Sequence, residues 1–437
     1  MSNRVPAALR SRGLPRRLTA RVRFPAPRRR RSRLLALLAV LGPGLIAANA
    51  GNDAGGVATY SSVGARYGYG LLWVMVLITP SLAVVQMLAA RMGAVTGKGL
   101  SELIREQHGL RWSVLATVCV LVANTGICIS DFVGIGAALD LGGIPAQLSV
   151  PLAAVCIWLI IVRGSYRAAE RVFIWLTVPF FAYPIAAVLA HPRWGDVGSA
   201  VVAPRVHTGS AYLLLLIATA GTTITPYMQL YLQSAVVERG VRPEELGNER
   251  RDAVAGALFA NVVAAFIIIA TGATLYAHGI HSVDSAADAA KALAPLAGRY
   301  AELLFGVGLL GASLLAAAIL PIATAYVVSE SLGFEKGIGR GFREAPAFTG
   351  VITAMIAIAT VVAVIPGVPV ISLLVGVQVV NGLLLPINLV FIWRLSRNRE
   401  LMGEERNRGV LDLVTLATVL VTGSLSLVLV GVTVLGV

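Results

Sequence analysis

Asn52-Asp53-Ala54-Gly55-Gly56 interrupts an apolar run that reaches Ala50 and resumes at Val57. A carboxylate at the centre of a membrane helix costs about 2.5–3.5 kcal/mol on insertion scales. Each glycine in a helix interior costs about 1 kcal/mol relative to alanine. Such a stretch persists at membrane depth only where it is buried in protein or lines a watery cavity. The residues therefore predict one half of a cation site inside a broken helix.

The surrounding composition places that break in a bilayer. Of the 437 residues, 57% are hydrophobic and 13% are charged, with a mean hydropathy of +0.80. A soluble domain of this length is neither so apolar nor so poor in charge. Working outward, runs of spanning length cover Leu34–Tyr67, Gly70–Arg91, Trp112–Leu139, Gln147–Val162, Val172–Leu189 and Gly209–Val237. They continue over Ala253–Tyr276, Tyr300–Ser331, Ala347–Ile365, Val370–Trp393 and Leu411–Leu435. The chain is read as an all-α polytopic membrane protein of about eleven helices.

The sixth run is interrupted too, at Thr222-Thr223-Ile224-Thr225-Pro226. An offset of five spans reverses orientation, so helices 1–5 and 6–10 predict an inverted repeat, with an eleventh helix added. Interrupted helices at matching places in two such halves point to a transport site at the membrane midplane.

Charge fixes the expected orientation. The net charge is +14, yet twelve arginines fall in residues 1–33, including Arg28 to Arg31, and that stretch holds no acid. The remainder is close to neutral, so the balance marks a basic, disordered cytoplasmic arm over 1–33 rather than nucleic-acid binding. The arm lacks the apolar core of a cleavable signal peptide, and residues 34–437 form the transporter domain. Short loops on one side carry Lys98, Arg105, Arg163, Arg167, Arg239, Arg242, Lys336, Arg340, Arg397 and Arg406. Those on the other carry only Arg66, Arg193, Arg205, Lys291 and Arg299. This asymmetry predicts a multi-pass plasma-membrane protein with a cytoplasmic N-terminus and an extracellular C-terminus.

Cys119, Cys128 and Cys156 lie within predicted spans and offer neither a disulfide framework nor zinc spacing. No nucleophile–base pair or cofactor motif supports an enzyme, and no cofactor is expected. The expected partners are the bilayer and a divalent cation, with the chain acting as a monomer.

Further motifs are Gly42-Pro43-Gly44-Leu45-Ile46-Ala47 before the Asp53 to Gly56 break, and Gly64-Ala65-Arg66-Tyr67-Gly68-Tyr69-Gly70-Leu71-Leu72-Trp73 after it. Others are Leu103-Ile104-Arg105-Glu106, Tyr231-Leu232-Gln233-Ser234-Ala235 and Leu384 to Gly403. With these residues, nearly everything after the arm resembles the Nramp family of divalent metal transporters. The resemblance implies a LeuT-like fold with the ion between the unwound parts of helices 1 and 6.

Where the ordinary family has Asp-Pro-Gly-Asn, this chain has Asp53-Ala54-Gly55-Gly56. The acid stays and Gly56 replaces the asparagine, with Asn52 as a possible substitute ligand or helix cap. Thr225 or Pro226 takes the place of the family's methionine, while Met228 lies nearby. Gln233 replaces a histidine, and Asp131 falls at the place of a helix-3 glutamate. Gln378 matches a glutamine that approaches the ion.

Loss of the thioether leaves oxygen donors: Asp53, the hydroxyls of Thr222, Thr223 and Thr225, and carbonyls freed by the breaks. Such ligands suit magnesium and manganese, and a magnesium site usually keeps several waters and one or two carboxylates. The pattern resembles the Nramp-related magnesium transporter branch and implies Mg2+ uptake that also admits Mn2+. With all five histidines in or beside loops, proton coupling loses its usual carrier. Asp131, Met228 and Gln233 are read as ion-path or gating residues. Two alternatives stand beside this reading. One is a proton-coupled Mn2+/Fe2+ importer in which Met228 and Asn52 replace the lost ligands. The other is an amino-acid transporter on the same fold, whose substrate carboxylate Asp53 would repel.

Overall fold

Helix 1 stops at Ala50 and restarts at Ala54. The computed structural model describes residues 42–203, 206–207, 209–283, 289–290, 298–365 and 370–435. The basic arm, residues 34–41 of the first predicted span, Arg205 and Lys291 lie outside them. Within the described residues helix 1 comprises α1a (Pro43–Ala50) and α1b (Ala54–Tyr67). It is followed by α2 (Leu72–Thr96), α3 (Leu110–Asp140), α4 (Ala146–Arg163) and α5 (Tyr166–Leu189). Helix 6 is again two pieces, α6a (Ser210–Thr223) and α6b (Pro226–Glu238). Then come α7 (Leu246–Thr274), α8 (Arg299–Leu332), α9 (Pro346–Ala363), α10 (Val370–Arg397) and α11 (Val410–Leu435).

Among the described residues, ten helices are long and apolar enough to cross a membrane. Helix 1 is the eleventh, and its break leaves pieces of 8 and 14 residues. Packing repeats with the predicted offset of five. α3 lies along α8, α2 along α7 and α4 along α9. The contact of helix 1 with α7 is matched by that of α6b with α2, and the contact of α1a with the start of α5 by that of α6a with α10. The fold is the expected LeuT-like inverted repeat.

The breaks are shorter than the sequence indicated, for a local reason. Asp53 caps α1b by accepting from the Gly56 amide, so Ala54, Gly55 and Gly56 form a first helical turn. Amides in a first turn have no intrahelical acceptor, and a carboxylate there is favourable. On helix 6, Thr222 and Thr223 remain helical, and Pro226 opens α6b. Proline is tolerated at that position because its missing N–H has no acceptor to lose. Only Ile224 and Thr225 are unwound.

Arg250 and Arg251 ride on the start of α7. Glu330 is 3% exposed and held by Ser234 Oγ at 2.7 Å and Lys336 Nζ at 3.0 Å. A buried charge so close to a helix end survives because it is both paired and hydrogen-bonded. Asn124 and Asn261 act as interhelical ties, donating to Thr324 Oγ1 and Thr79 Oγ1 at 2.8 Å each.

Candidate ion-binding site

The two breaks face each other, and hydroxyls of helix 6 take up the carbonyls freed on helix 1. Tyr227 Oη donates to Ala50 O at 2.6 Å. Thr222 Oγ1 donates to Gly51 O at 3.1 Å. Deep in a bilayer those carbonyls would otherwise lack donors, at a cost of several kcal/mol each. Sequence reading missed the roles of Tyr227, Gly51 and Ala50; the tyrosine beside Pro226 was the available signal.

Asp53 is fully buried. Its Oδ1 accepts from Gly56 N at 2.5 Å. Gln378 Nε2 on α10 reaches both carboxylate oxygens, at 2.9 and 3.2 Å. Asn381 Nδ2, one turn further along α10, donates to Gln378 Oε1 at 3.1 Å and orients that amide. Asp131, also fully buried, accepts from Ala54 N at 3.0 Å. Its second oxygen has no partner among the described residues. Two carboxylates therefore meet the positive end of α1b. Among the described residues neither one forms an ion pair.

Gly56 has no room for a side chain. A Cβ there would stand 2.7 Å from Thr222 Oγ1, 2.9 Å from Gly51 O and 3.2 Å from Asp53 Oδ1. Three oxygens from three residues thus converge over one glycine. Gly51 is equally confined, because a Cβ would overlap Met228 Cε and lie 3.2 Å from its sulfur. The thioether of α6b therefore touches the break in helix 1.

The other residues singled out from sequence are more dispersed. Thr223 Oγ1 donates to Thr219 O at 2.7 Å, which leaves it to accept from Tyr60 Oη at 2.9 Å. Thr225 is buried at the break, and its hydroxyl has no partner among the described residues. Asn52 Nδ2 donates to Ala260 O on α7 at 2.9 Å, so its amide serves the helix 1–α7 contact. Gln233 Nε2 donates to Lys98 O at 2.9 Å. It lies seven residues after Pro226, about 10 Å along the helix, and joins α6b to the connection after α2. Among the described residues no three His, Cys, Asp or Glu side chains group as metal ligands. A cation held here would use one or two carboxylates and neutral oxygens.

The broken pair, the capped carboxylate and the glutamine of α10 coincide with a family match over residues 44–431, to the group described as natural resistance-associated macrophage protein-like. The chain belongs to the Nramp family. It is 30% identical over 396 residues to the "Divalent metal cation transporter MntH" of Ralstonia nicotianae, covering 85% of this chain and 86% of that protein. The MntH of Deinococcus radiodurans is also 30% identical, over 311 residues, covering 68% and 70%. Among solved structures, the Nramp chain superposes on the manganese transporter of Eremococcus coleocola with a TM-score of 0.75. That match has 20% identity and covers 93% of this chain and 88% of the other. It also superposes on MhsT in complex with L-phenylalanine, with a TM-score of 0.62, 13% identity, and coverage of 88% and 97%. At these identities the structural likenesses establish the fold alone.

Proposed function

We propose that this chain is a divalent metal cation transporter that takes up Mg2+, admits Mn2+, and moves the ion without stoichiometric proton transfer. The observation carrying the reading is Asp53: a carboxylate at paired helix breaks, buried, without an ion pair among the described residues, and sharing the space over Gly56 with Thr222 Oγ1 and the Gly51 carbonyl. An unpaired charge in a low-dielectric interior costs several kcal/mol, and a transported cation cancels that cost when it binds. Asp53, Thr222 and the Gly51 carbonyl supply hard donors, with Gln378 orienting the carboxylate. Magnesium sheds its waters reluctantly and is usually held by one or two carboxylates, which fits a site with Asp53 as its main charged donor. Thr225, whose hydroxyl has no partner among the described residues, is a further donor at the break. Thr223 acts through Tyr60, and Asn52 through α7.

The histidines support uncoupled passage. His108, His191, His207, His278 and His281 all sit at helix ends or in connections rather than beside Asp53. Membrane potential supplies the driving force, about 4.6 kcal/mol per 100 mV for two charges. The asymmetry of basic residues between the loops supports a cytoplasmic N-terminus and a C-terminus outside the plasma membrane, and the proposed working unit is a monomer.

Uptake of Mg2+ and Mn2+ into proteoliposomes, with a lumenal pH dye and Asp53→Ala in parallel, tests this reading. Wild-type uptake of both ions without lumenal acidification supports it. Full activity of the variant, or acidification in step with the metal, overturns the site or the uncoupled mechanism respectively.

Met228 favours a second reading. Its sulfur at the Gly51 break offers a soft ligand, which suits a proton-coupled Mn2+/Fe2+ importer. Strong Cd2+ competition that disappears in Met228→Leu would select this reading over the first.

A further inference from the structure

Behind the ion site, between α3 and α10, a cavity of about 140 Å³ opens at the outer face of the helix bundle. Its mouth includes Trp112 and Leu115, each more than half exposed. Its inner end is Pro226, the first residue of α6b, and Asn381. The lining is apolar apart from three asparagine amides, the Trp112 indole N–H and the Cys119 thiol, and none of the described residues that form it is charged. Asn124 donates one amide N–H to Thr324 Oγ1. The other two amides are incomplete. Asn381, 1% exposed, has an unpartnered Oδ1, and Asn388, 9% exposed, an unpartnered Nδ2, among the described residues.

Buried amide atoms without partners cost about 1–3 kcal/mol each, so a ligand that satisfies them is favoured over bare hydrocarbon. The mouth lies on the outward apolar face of α3, where Leu110, Val114, Val118 and Val122 are also exposed. A guest therefore enters from the lipid phase. Cavities of about 150 Å³ hold a benzene-sized guest, which sets the size of the part that enters. The missing charge in the lining excludes an ionic head.

We propose that this cavity binds a neutral membrane amphiphile, with its hydroxyl donating to Asn381 Oδ1 and its alkyl or aryl body lying between α3 and α10. Asn388 Nδ2, seven residues along α10, offers a donor to an oxygen further along the same molecule. The guest touches the ion site from behind. Asn381 orients Gln378, Gln378 holds Asp53, and Pro226 begins the second half of the broken helix 6. Occupancy fixes α10 against α6b and slows exchange of the ion. This effect on transport rests on the function proposed above, whereas binding does not.

The test uses the full chain in phosphatidylcholine vesicles with a twelve-carbon alcohol that carries an alkyl diazirine. After illumination, crosslinks are expected on residues 112–124 and 381–391. They should fall at least fivefold with excess unlabelled dodecanol, and equally in Ala116→Phe, which fills the cavity. A diazirine hydrocarbon without the hydroxyl should label at least fivefold less. Mg2+ uptake should slow at least threefold with dodecanol in the wild type and be insensitive in Ala116→Phe. Label spread evenly over the lipid-facing helices would overturn the proposal, as would label indifferent to the filled cavity or equal labelling by the hydrocarbon. A wild type that binds the probe specifically but transports no metal would refute the transport reading and leave the site standing.

Discussion

At Asp53, one side chain serves as helix cap and as a charge facing the paired breaks, and these roles separate under substitution. Asp53→Asn keeps an acceptor for the Gly56 amide, and asparagine caps about as well as aspartate. We expect Asp53→Asn to retain the helical fold, by circular dichroism and thermal melting, while metal uptake falls at least 100-fold. Gly56 gives a second residue-scale prediction. Gly56→Asn forces a Cβ to within 2.7 Å of Thr222 Oγ1 and should lower Mg2+ uptake at least tenfold. Adding Thr222→Ala removes the hydroxyl and should recover part of it, so a double-mutant cycle in uptake should show coupling of about 1–2 kcal/mol. Additive losses would show that the crowding at Gly56 does not set the site.

At the scale of elements, α1a is held by its neighbours rather than by its own sequence. Eight residues are too few to form a stable helix alone. Asp252 of α7 accepts from the amides of Gly42, Gly44 and Leu45 at 2.9, 2.7 and 3.3 Å. Arg239, flanked by Glu170 and Glu249 at 3.7 Å each, carries the same cluster onto the end of α6b. A carboxylate satisfying three amides at a helix N-terminus contributes about 2–3 kcal/mol. Asp252→Ala should lower the melting temperature and speed amide exchange over residues 42–50 more than over α8. Uniform exchange would show that the cap is not what holds this half-helix. The sequence made the breaks legible because glycine, proline and aspartate are costly in an apolar run. It also made Gln378 legible, through family resemblance. It could not show that Asn52 turns to Ala260, that Tyr227 closes a carbonyl, or that Asp252 caps a helix about 200 residues earlier in the chain. Those depend on which faces meet after packing, and no local pattern encodes that.

At the scale of the whole molecule, the driving force follows from the proposed absence of an exchanged proton. With two charges moved per cycle, a potassium diffusion potential of −100 mV should raise the limiting inside-to-outside Mg2+ ratio by roughly three orders of magnitude, from about 4.6 kcal/mol at 1.36 kcal/mol per tenfold. A pH gradient of one unit without voltage should leave that ratio near one. Accumulation that follows the pH gradient instead would establish coupling and favour the Mn2+/Fe2+ reading.

Among the described residues neither Asp53 nor Asp131 forms an ion pair, and this bears on stability as well as on transport. A passenger that neutralises a buried charge binds the folded chain and not the unfolded one, so it is also a stabiliser by mass action. At a hundred times its dissociation constant the cation should add about 2.7 kcal/mol to stability. The metal-starved carrier is then the more fragile species and the better substrate for proteolysis. Supply of the ion and abundance of its carrier become linked through thermodynamics alone, without a dedicated sensor.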